Sequence, residues 1–229
     1  EGATLLNTAK AVEILYPSLA NTLIEKIHAN IYRAAYDAYR AKPASGNWGN
    51  NWNPALAKFA AILGDEEMLT YMRNDHPAAE SPVLDNQFFR DGVPYEASLM
   101  YASTYHYAAI NIAESLGENG MWIWEHPHMR ESFDSFARFV CLDKYTHFAA
   151  DMGGIVNKGW MLPAEYIERA YRVYKTPLVA RYLLQARKLY GFDGPDSLDD
   201  LFIEPLDMAE VESIAAKAEP LKSTVAAVR

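Results

Sequence analysis

The feature that most constrains this chain is its punctuation. Helical runs are broken by clusters of Pro, Gly, Ser and Asn, roughly every 25 to 40 residues. Residues 17–41, PSLANTLIEKIHANIYRAAYDAYRA, read as one long amphipathic helix. Ser18 is its expected N-cap after Pro17, and Leu23, Ile27, Ile31, Ala34 and Ala38 form the expected apolar face at three- and four-residue spacing. The stretch KPASGNWGNNWNP, 42–54, breaks that period and reads as a loop. Residues 54–63 and 65–73 read as two short helices split at Gly64-Asp65, and 74–94 as irregular chain. A strong helix is predicted from about 95 to 117, closed by Gly117. The aromatic GMWIWEHPHM, 120–129, reads as a compact loop or turn.

Beyond it, 130–145 read as helix and 146–162 as a Gly-rich connection. Helices at 163–175 and 177–190 are bounded by Pro163, Pro177 and Gly191. Two more short helices are expected near 196–202 and 207–217. The last residues lose the helical period, so 221–229 read as a linker or a first strand. This cadence predicts an all-α chain, with 1–220 as one domain of stacked helical hairpins, as in a solenoid or an α/α toroid. No repeated motif accompanies it, which argues against the regular repeat families.

Composition narrows the function. The 229 residues are enough for a substantial core, and with half of them apolar and 22% charged the chain is globular. No apolar run approaches the roughly 20 residues of a membrane span. The start lacks the basic and apolar blocks of a leader, and residue 1 is Glu, which reads as a trimmed product. The single cysteine, Cys141, permits no internal disulfide and no thiolate cluster, and its apolar context predicts a small buried side chain. A net charge of −9 argues against nucleic acid as a partner, and also against polyanions unless basic groups gather locally.

Two segments carry candidate chemistry. SGNWGNNWNP places Asn47, Asn50, Asn51 and Asn53 beside Trp48 and Trp52. Amides offer uncharged donor–acceptor pairs and indoles offer flat apolar faces, a combination suited to sugar hydroxyls and rings. An ordinary Asn/Gly turn is the competing reading. FFRDGVPYEASLMYASTYHYA, 88–108, crowds Tyr101, Tyr105, His106 and Tyr107 behind an Arg90-Asp91-Gly92 turn. Ser98, Tyr101, Tyr105, Ala108 and Ile112 fall on one helical stripe. A tyrosine near a helix N-terminus feels the positive end of the dipole, which favours the phenolate a base needs. The competing reading is that these tyrosines simply pack.

The run DGVPYEASLMY, with Asp91, Gly92, Glu96, Ser98 and Tyr101, resembles the signature of the heparinase II/III-like polysaccharide lyases and their alginate-lyase relatives. In that family a DG turn leads into a helix with an E-x-S-x-x-Y pattern whose Tyr is the catalytic acid/base. An Asn some fifty-odd residues upstream neutralises the substrate carboxylate, and Asn47 occupies the matching place. Many relatives carry His after that Asn, whereas this chain has Trp48, so the role could shift to Asn50 or Asn51.

The resemblance implies an α/α toroid, followed in relatives by a β-sandwich, and β-elimination on a uronic-acid glycan such as alginate or a glycosaminoglycan. It implies Tyr101 and Asn47 as catalytic residues, with Trp48, Asn50, Asn51, Trp52, Arg90, Glu96, Tyr105 and His106 around the substrate. No metal or cofactor is implied at the reacting centre, and the setting is periplasmic or secreted. Alternatives are a uronyl C5-epimerase of similar fold and a non-catalytic glycan-binding scaffold. His126 and His128 have a spacing that could bind metal, but no third ligand is evident. Trp122 and Trp124 read as core or stacking residues, His147 and Asp151 have no clear role, and Arg73, Arg90 and Lys42 are the candidates for a local basic patch.

Overall fold

The computed structural model describes residues 2–44, 46–72, 88, 92–93, 99–138, 140–141, 145–146, 162–191 and 203–220. The expected connection at 146–162, the short helix at 196–202 and the terminal 221–229 segment lie wholly or almost wholly outside these, as does the Cys141 side chain.

The chain is predominantly helical. Helix α1, Gly2–Leu15, opens it. A 3-10 turn, Tyr16–Ser18, leads to α2, Asn21–Ile27, which runs through a π-helical segment, His28–Arg33, into α3, Ala34–Ala41. Next come α4, Gly46–Leu63, and α5, Glu66–Thr70. Then α6, Leu99–Leu116, a 3-10 turn, α7, Met121–Glu125, and α8, Pro127–Arg138 follow. The series closes with α9, Ala164–Tyr174, α10, Pro177–Tyr190, and α11, Met208–Ala215.

Several helix ends sit where local chemistry predicts. Gly64, Gly117 and Gly191 adopt φ of +59°, +57° and +66°, the left-handed region that glycine enters without strain. Asp65 caps α5 by accepting from the Met68 N–H, and Thr176 caps α10 by accepting from the Val179 N–H, with Pro177 at the first helical position. Pro163 precedes α9.

Other expectations fail for physical reasons. Residues 46–54 are helix, not loop: Pro54 lies inside α4, where it forfeits the bond to the Asn50 carbonyl, and packing against two neighbours holds the helix through it. Ser18 is no N-cap, because its Oγ donates to the Leu15 carbonyl and Ala20 takes the cap position. Most of the predicted stripe of 17–41 faces outward, with Leu23 and Ile31 at 45% and 41% exposure and Ala34 and Ala38 exposed too; only Ile27 of it packs on the core. The buried face is aromatic instead: Tyr32 stacks on Phe59 at 4.6 Å, and Tyr36 and Tyr39 are buried beside it. The 120–129 stretch is mostly helical rather than a loop. The helix expected to reach 145 ends at Arg138 and gives way to a two-residue ladder, β1 (Val140–Cys141) antiparallel to β2 (Tyr145–Thr146). Helix α1 was not anticipated at all.

Two apolar clusters form the core. One gathers Leu6, Tyr32, Tyr36, Leu56, Phe59 and Met68 from α1–α5. The other gathers Tyr105, Ile112, Phe133, Phe136, Ile167, Tyr171 and Leu183 from α6–α10. Helices α4 and α6 join them, for Ala57 belongs to the second cluster and Tyr107 packs on the first. Polar ties cross the same junction. The Lys10 Nζ donates to Asn111 Oδ1 at 3.1 Å, and Arg169 pairs with Glu114 at 2.6 Å. Two pairs of helices run parallel. Gly2 abuts Asn51 and Glu13 pairs with Lys58, which aligns α1 with α4. Tyr107 faces Tyr166 and Glu114 pairs with Arg169, which aligns α6 with α9.

Candidate functional site

The Asn/Trp stretch forms the first three turns of α4, so its side chains divide by helical phase. Trp48, Asn51 and Trp52 share one side at i, i+3 and i+4. Trp48 is 73% exposed, Asn51 is exposed, and Trp52 is half-buried with its ring 5.8 Å from that of Tyr39. An indole so exposed on an ordered helix is an apolar face without a protein partner over most of its area. Gly2 fixes this end of α4: a Cβ there would sit 1.9 Å from the Asn51 carbonyl oxygen, so only glycine lets α1 approach so closely.

The opposite side is buried. Asn53 lies beside Tyr39, whose hydroxyl is 3.5 Å from the Asn53 Oδ1 and 3.1 Å from the Ala44 carbonyl. Burial pushes the Tyr39 phenol up to about 12. Asn50 is fully buried, and neither its Oδ1 nor its Nδ2 has a hydrogen-bond partner. A buried amide in that state costs about 1–3 kcal/mol. Asn47 sits in the first turn of the same helix, and its side chain lies outside the described residues.

The tyrosine stripe also divides. Tyr101, near the start of α6, is partly exposed, and its carbonyl accepts from Thr104 Oγ1 at 2.7 Å. Tyr105, Ala108 and Ile112, further along the stripe, are core residues at 4%, 0% and 2% exposure. His106 is fully buried as well: its Nε2 lies 2.8 Å from Ser132 Oγ, and its ring stands edge-on to Phe133 at 4.6 Å and Phe136 at 5.1 Å. Tyr105 and His106, expected around a substrate, therefore pack the core and offer no surface to a ligand. Tyr107 is half-buried, its phenol pushed up by burial.

The turn before this helix is pinned. Gly92 has φ +77°, and a Cβ on it would fall 2.3 Å from the Glu131 carbonyl carbon and 2.4 Å from the Ser132 nitrogen. Gly92 thus lies against the backbone of α8. Arg90, Asp91, Glu96 and Ser98 are outside the described residues, as are Arg73, His147 and Asp151. Lys42 is exposed just before α4.

Among the described residues, two cavities stand apart from these helices' motif faces. One of about 620 Å³ is lined by Trp124, His126, Arg130, Glu131, Asp134 and Tyr174, among others. Burial raises the Asp134 carboxyl, and its Oδ1 has no hydrogen-bond partner. The Tyr174 hydroxyl donates to the Trp124 carbonyl at 2.7 Å. His126 and His128 lie with ring centroids 5.2 Å apart, and His126 Nδ1 accepts from the His128 N–H. Among the described residues no cluster of three His, Cys, Asp or Glu could hold a metal. Trp124 is a core residue at 6% exposure, and Trp122 packs against the same core.

A second cavity, of about 260 Å³, lies where α1, α4 and α6 meet, lined by Lys10, Lys58, Glu114, Ser115 and Ile203. Neither cavity was foreseen as a site. The first had a sequence signal in the HPH spacing. The second is assembled from segments more than forty residues apart and had none.

No family model, no curated protein and no solved structure matches the chain. Among the described residues no helix is long and apolar enough to cross a membrane.

Proposed function

We propose that the chain is the helical part of a polysaccharide lyase that cleaves a uronic-acid glycan by β-elimination. Tyr101 serves as base and acid, and an asparagine of the 47–51 stretch neutralises the carboxylate. The observation that carries the reading is the pairing of the two motif-bearing helices: among the described elements, α4 and α6 pack against each other more extensively than any other pair. Trp48 and Asn51 are exposed on one and Tyr101 is partly exposed on the other. The parallel runs of α1 with α4 and of α6 with α9 favour an α/α toroid, whose inner helices share one direction. In this reading a β-sandwich domain of the parent protein supplies the rest of the cleft, and the setting is periplasmic or secreted.

The chemistry is a proton abstraction next to a carboxylate. Hydrogen bonds from an asparagine amide let the negative charge developing at C5 spread onto the carboxylate oxygens. The Tyr101 phenolate takes the C5 proton, the C4–O bond breaks with formation of the C4=C5 double bond, and the Tyr101 hydroxyl returns the proton to the leaving oxygen. Asn50 is fully buried and, like Tyr105 and His106, offers no surface to a substrate, so the neutralising role falls to Asn47 or Asn51. Trp48 supplies a stacking face for a sugar ring. Lys42, with Arg73 and Arg90, is the basic group this reading needs against an overall charge of −9.

The test is ultraviolet absorbance of unsaturated uronate during incubation with alginate, heparan sulfate, chondroitin and hyaluronan. The reading expects product with at least one of them and none with Tyr101→Phe at unchanged stability. Proton exchange at C5 without absorbance would replace it with the epimerase. Binding that persists without either would leave a glycan-binding scaffold.

A further inference from the structure

We infer that the cavity walled by α7, α8 and α9 binds a free α-amino acid with a large apolar side chain, Asp134 taking its ammonium and Arg130 its carboxylate. Three observations carry it. The first is Asp134, which lines the cavity from α8 with its Oδ1 buried and without a hydrogen-bond partner. A buried carboxylate oxygen in that state lacks the donor that normally offsets its lost hydration, and the open volume beside it admits one from outside. The second is Arg130, one helical turn earlier on the same wall. Opposite charges at i and i+4 on a helix stand about 5–6 Å apart at Cβ and commonly pair. Here the Arg130 charge acts on Asp134 across space, yet among the described residues no hydrogen bond or ion pair joins the two. An open guanidinium fork and an open carboxylate oxygen therefore stand side by side on one wall. The third is the apolar flank. Met121 of α7 and Val173 of α9 line the same cavity at 44% and 41% exposure.

An amino acid answers all three. Its ammonium donates to Asp134, its carboxylate accepts from the planar fork of Arg130, and its side chain covers Met121 and Val173. Glu125 and Glu131 also line the cavity and reinforce the ammonium side, while Arg138 acts on Asp134 from one turn later and opposes it. A neutral sugar fits less well. Trp124 is 6% exposed and stands edge-on to Tyr174 at 6.0 Å, so the indole has no open face on which a sugar ring could stack. The volume of about 620 Å³ lies within the roughly 300–1,000 Å³ of small-molecule pockets and leaves room for a large side chain. The inference does not depend on lyase chemistry.

The test is titration calorimetry at neutral pH and constant ionic strength with phenylalanine as the probe. Phenethylamine lacks its carboxylate, hydrocinnamate lacks its ammonium, and glucose serves as the neutral sugar. Phenylalanine should bind about 10-fold or more tightly than either half, as loss of a hydrogen bond to a charged group dictates. Asp134→Asn should weaken phenylalanine by a similar factor without weakening hydrocinnamate, and Arg130→Gln should do so without weakening phenethylamine. Asp134→Asn replaces a desolvated carboxyl with a neutral amide, and Arg130 is exposed, so both variants should melt at or near the temperature of the parent chain or above it, which separates lost binding from lost folding. Tyr101→Phe should bind unchanged, so failure of the lyase reading and failure of this one are distinguishable. Equal binding of phenylalanine and either half, tighter binding of glucose, retention of phenylalanine affinity by either cavity variant, or no binding of phenylalanine would each overturn the inference.

Discussion

Asn50 offers a test in which removing a buried polar group should raise stability. Its carboxamide is fully buried on α4 with neither Oδ1 nor Nδ2 hydrogen-bonded. Leucine has the same number of side-chain heavy atoms in the same branched arrangement and no polar atom. Replacing the amide should recover the desolvation cost, about 1–3 kcal/mol. Leucine also favours helix over asparagine by up to about 0.5 kcal/mol. Against this, two methyls are bulkier than an amide, and overpacking costs about 1 kcal/mol or more in a tight core. The balance for Asn50→Leu is a gain of about 1–2 kcal/mol. At a urea slope of about 2–3 kcal/mol/M, that raises the midpoint by roughly 0.5 M with the slope unchanged. Asn50→Ala controls for bulk: it should also stabilise, by less. If both variants instead lose more than about 1 kcal/mol, the amide has a partner in solution and the reasoning is wrong.

Three further outcomes follow from particular contacts. Gly92→Ala should destabilise by more than about 3 kcal/mol, because a positive φ is compounded by a Cβ 2.3 Å from the backbone of α8. Gly64→Ala, with a similar φ and nothing within 4 Å, should cost only about 1 kcal/mol, and equal losses in urea titrations would refute the docking of Gly92. Asp65 is held below its usual 3.8 by the Met68 N–H and by Arg33. Its stabilisation is therefore present above about pH 4 and lost as pH falls through the lower folded value, so the stability difference between the parent chain and Asp65→Asn should shrink only in that acid range. Asp134 is the reverse case, raised by burial. Its stabilisation is present below 3.8 and lost as pH rises through the higher folded value, so Asp134→Asn should be more stable than the parent near neutral pH, an advantage that fades on acidification.

What could be read from the sequence was what local chemistry decides. Gly64, Gly117 and Gly191 end helices because a left-handed backbone favours glycine, and Pro163, Thr176 and Pro177 start them because a missing N–H or a side-chain oxygen suits that position. What could not be read was decided by neighbours. Asn, Gly and Pro in 46–54 are poor helix formers, yet α1 and α6 pack against α4 and hold the stretch helical. In 17–41 two faces had helical spacing, and the tyrosine face won the core because Phe59 of α4 offered it a stacking partner, leaving Leu23 and Ile31 outside. Polarity misled at His106, where a hydrogen bond to Ser132 and two phenylalanine edges satisfy an imidazole inside the core. Tyr101, at the exposed end of the same helix, shares its stripe with Tyr105 but not its burial.

The most direct test of the account is a rise in unsaturated-uronate absorbance with purified protein on a panel of uronic-acid glycans, read beside Tyr101→Phe. The account predicts product on at least one glycan, and its loss in a Tyr101→Phe variant that melts with the parent chain. Product formation undiminished by Tyr101→Phe, or none on any glycan, would contradict it.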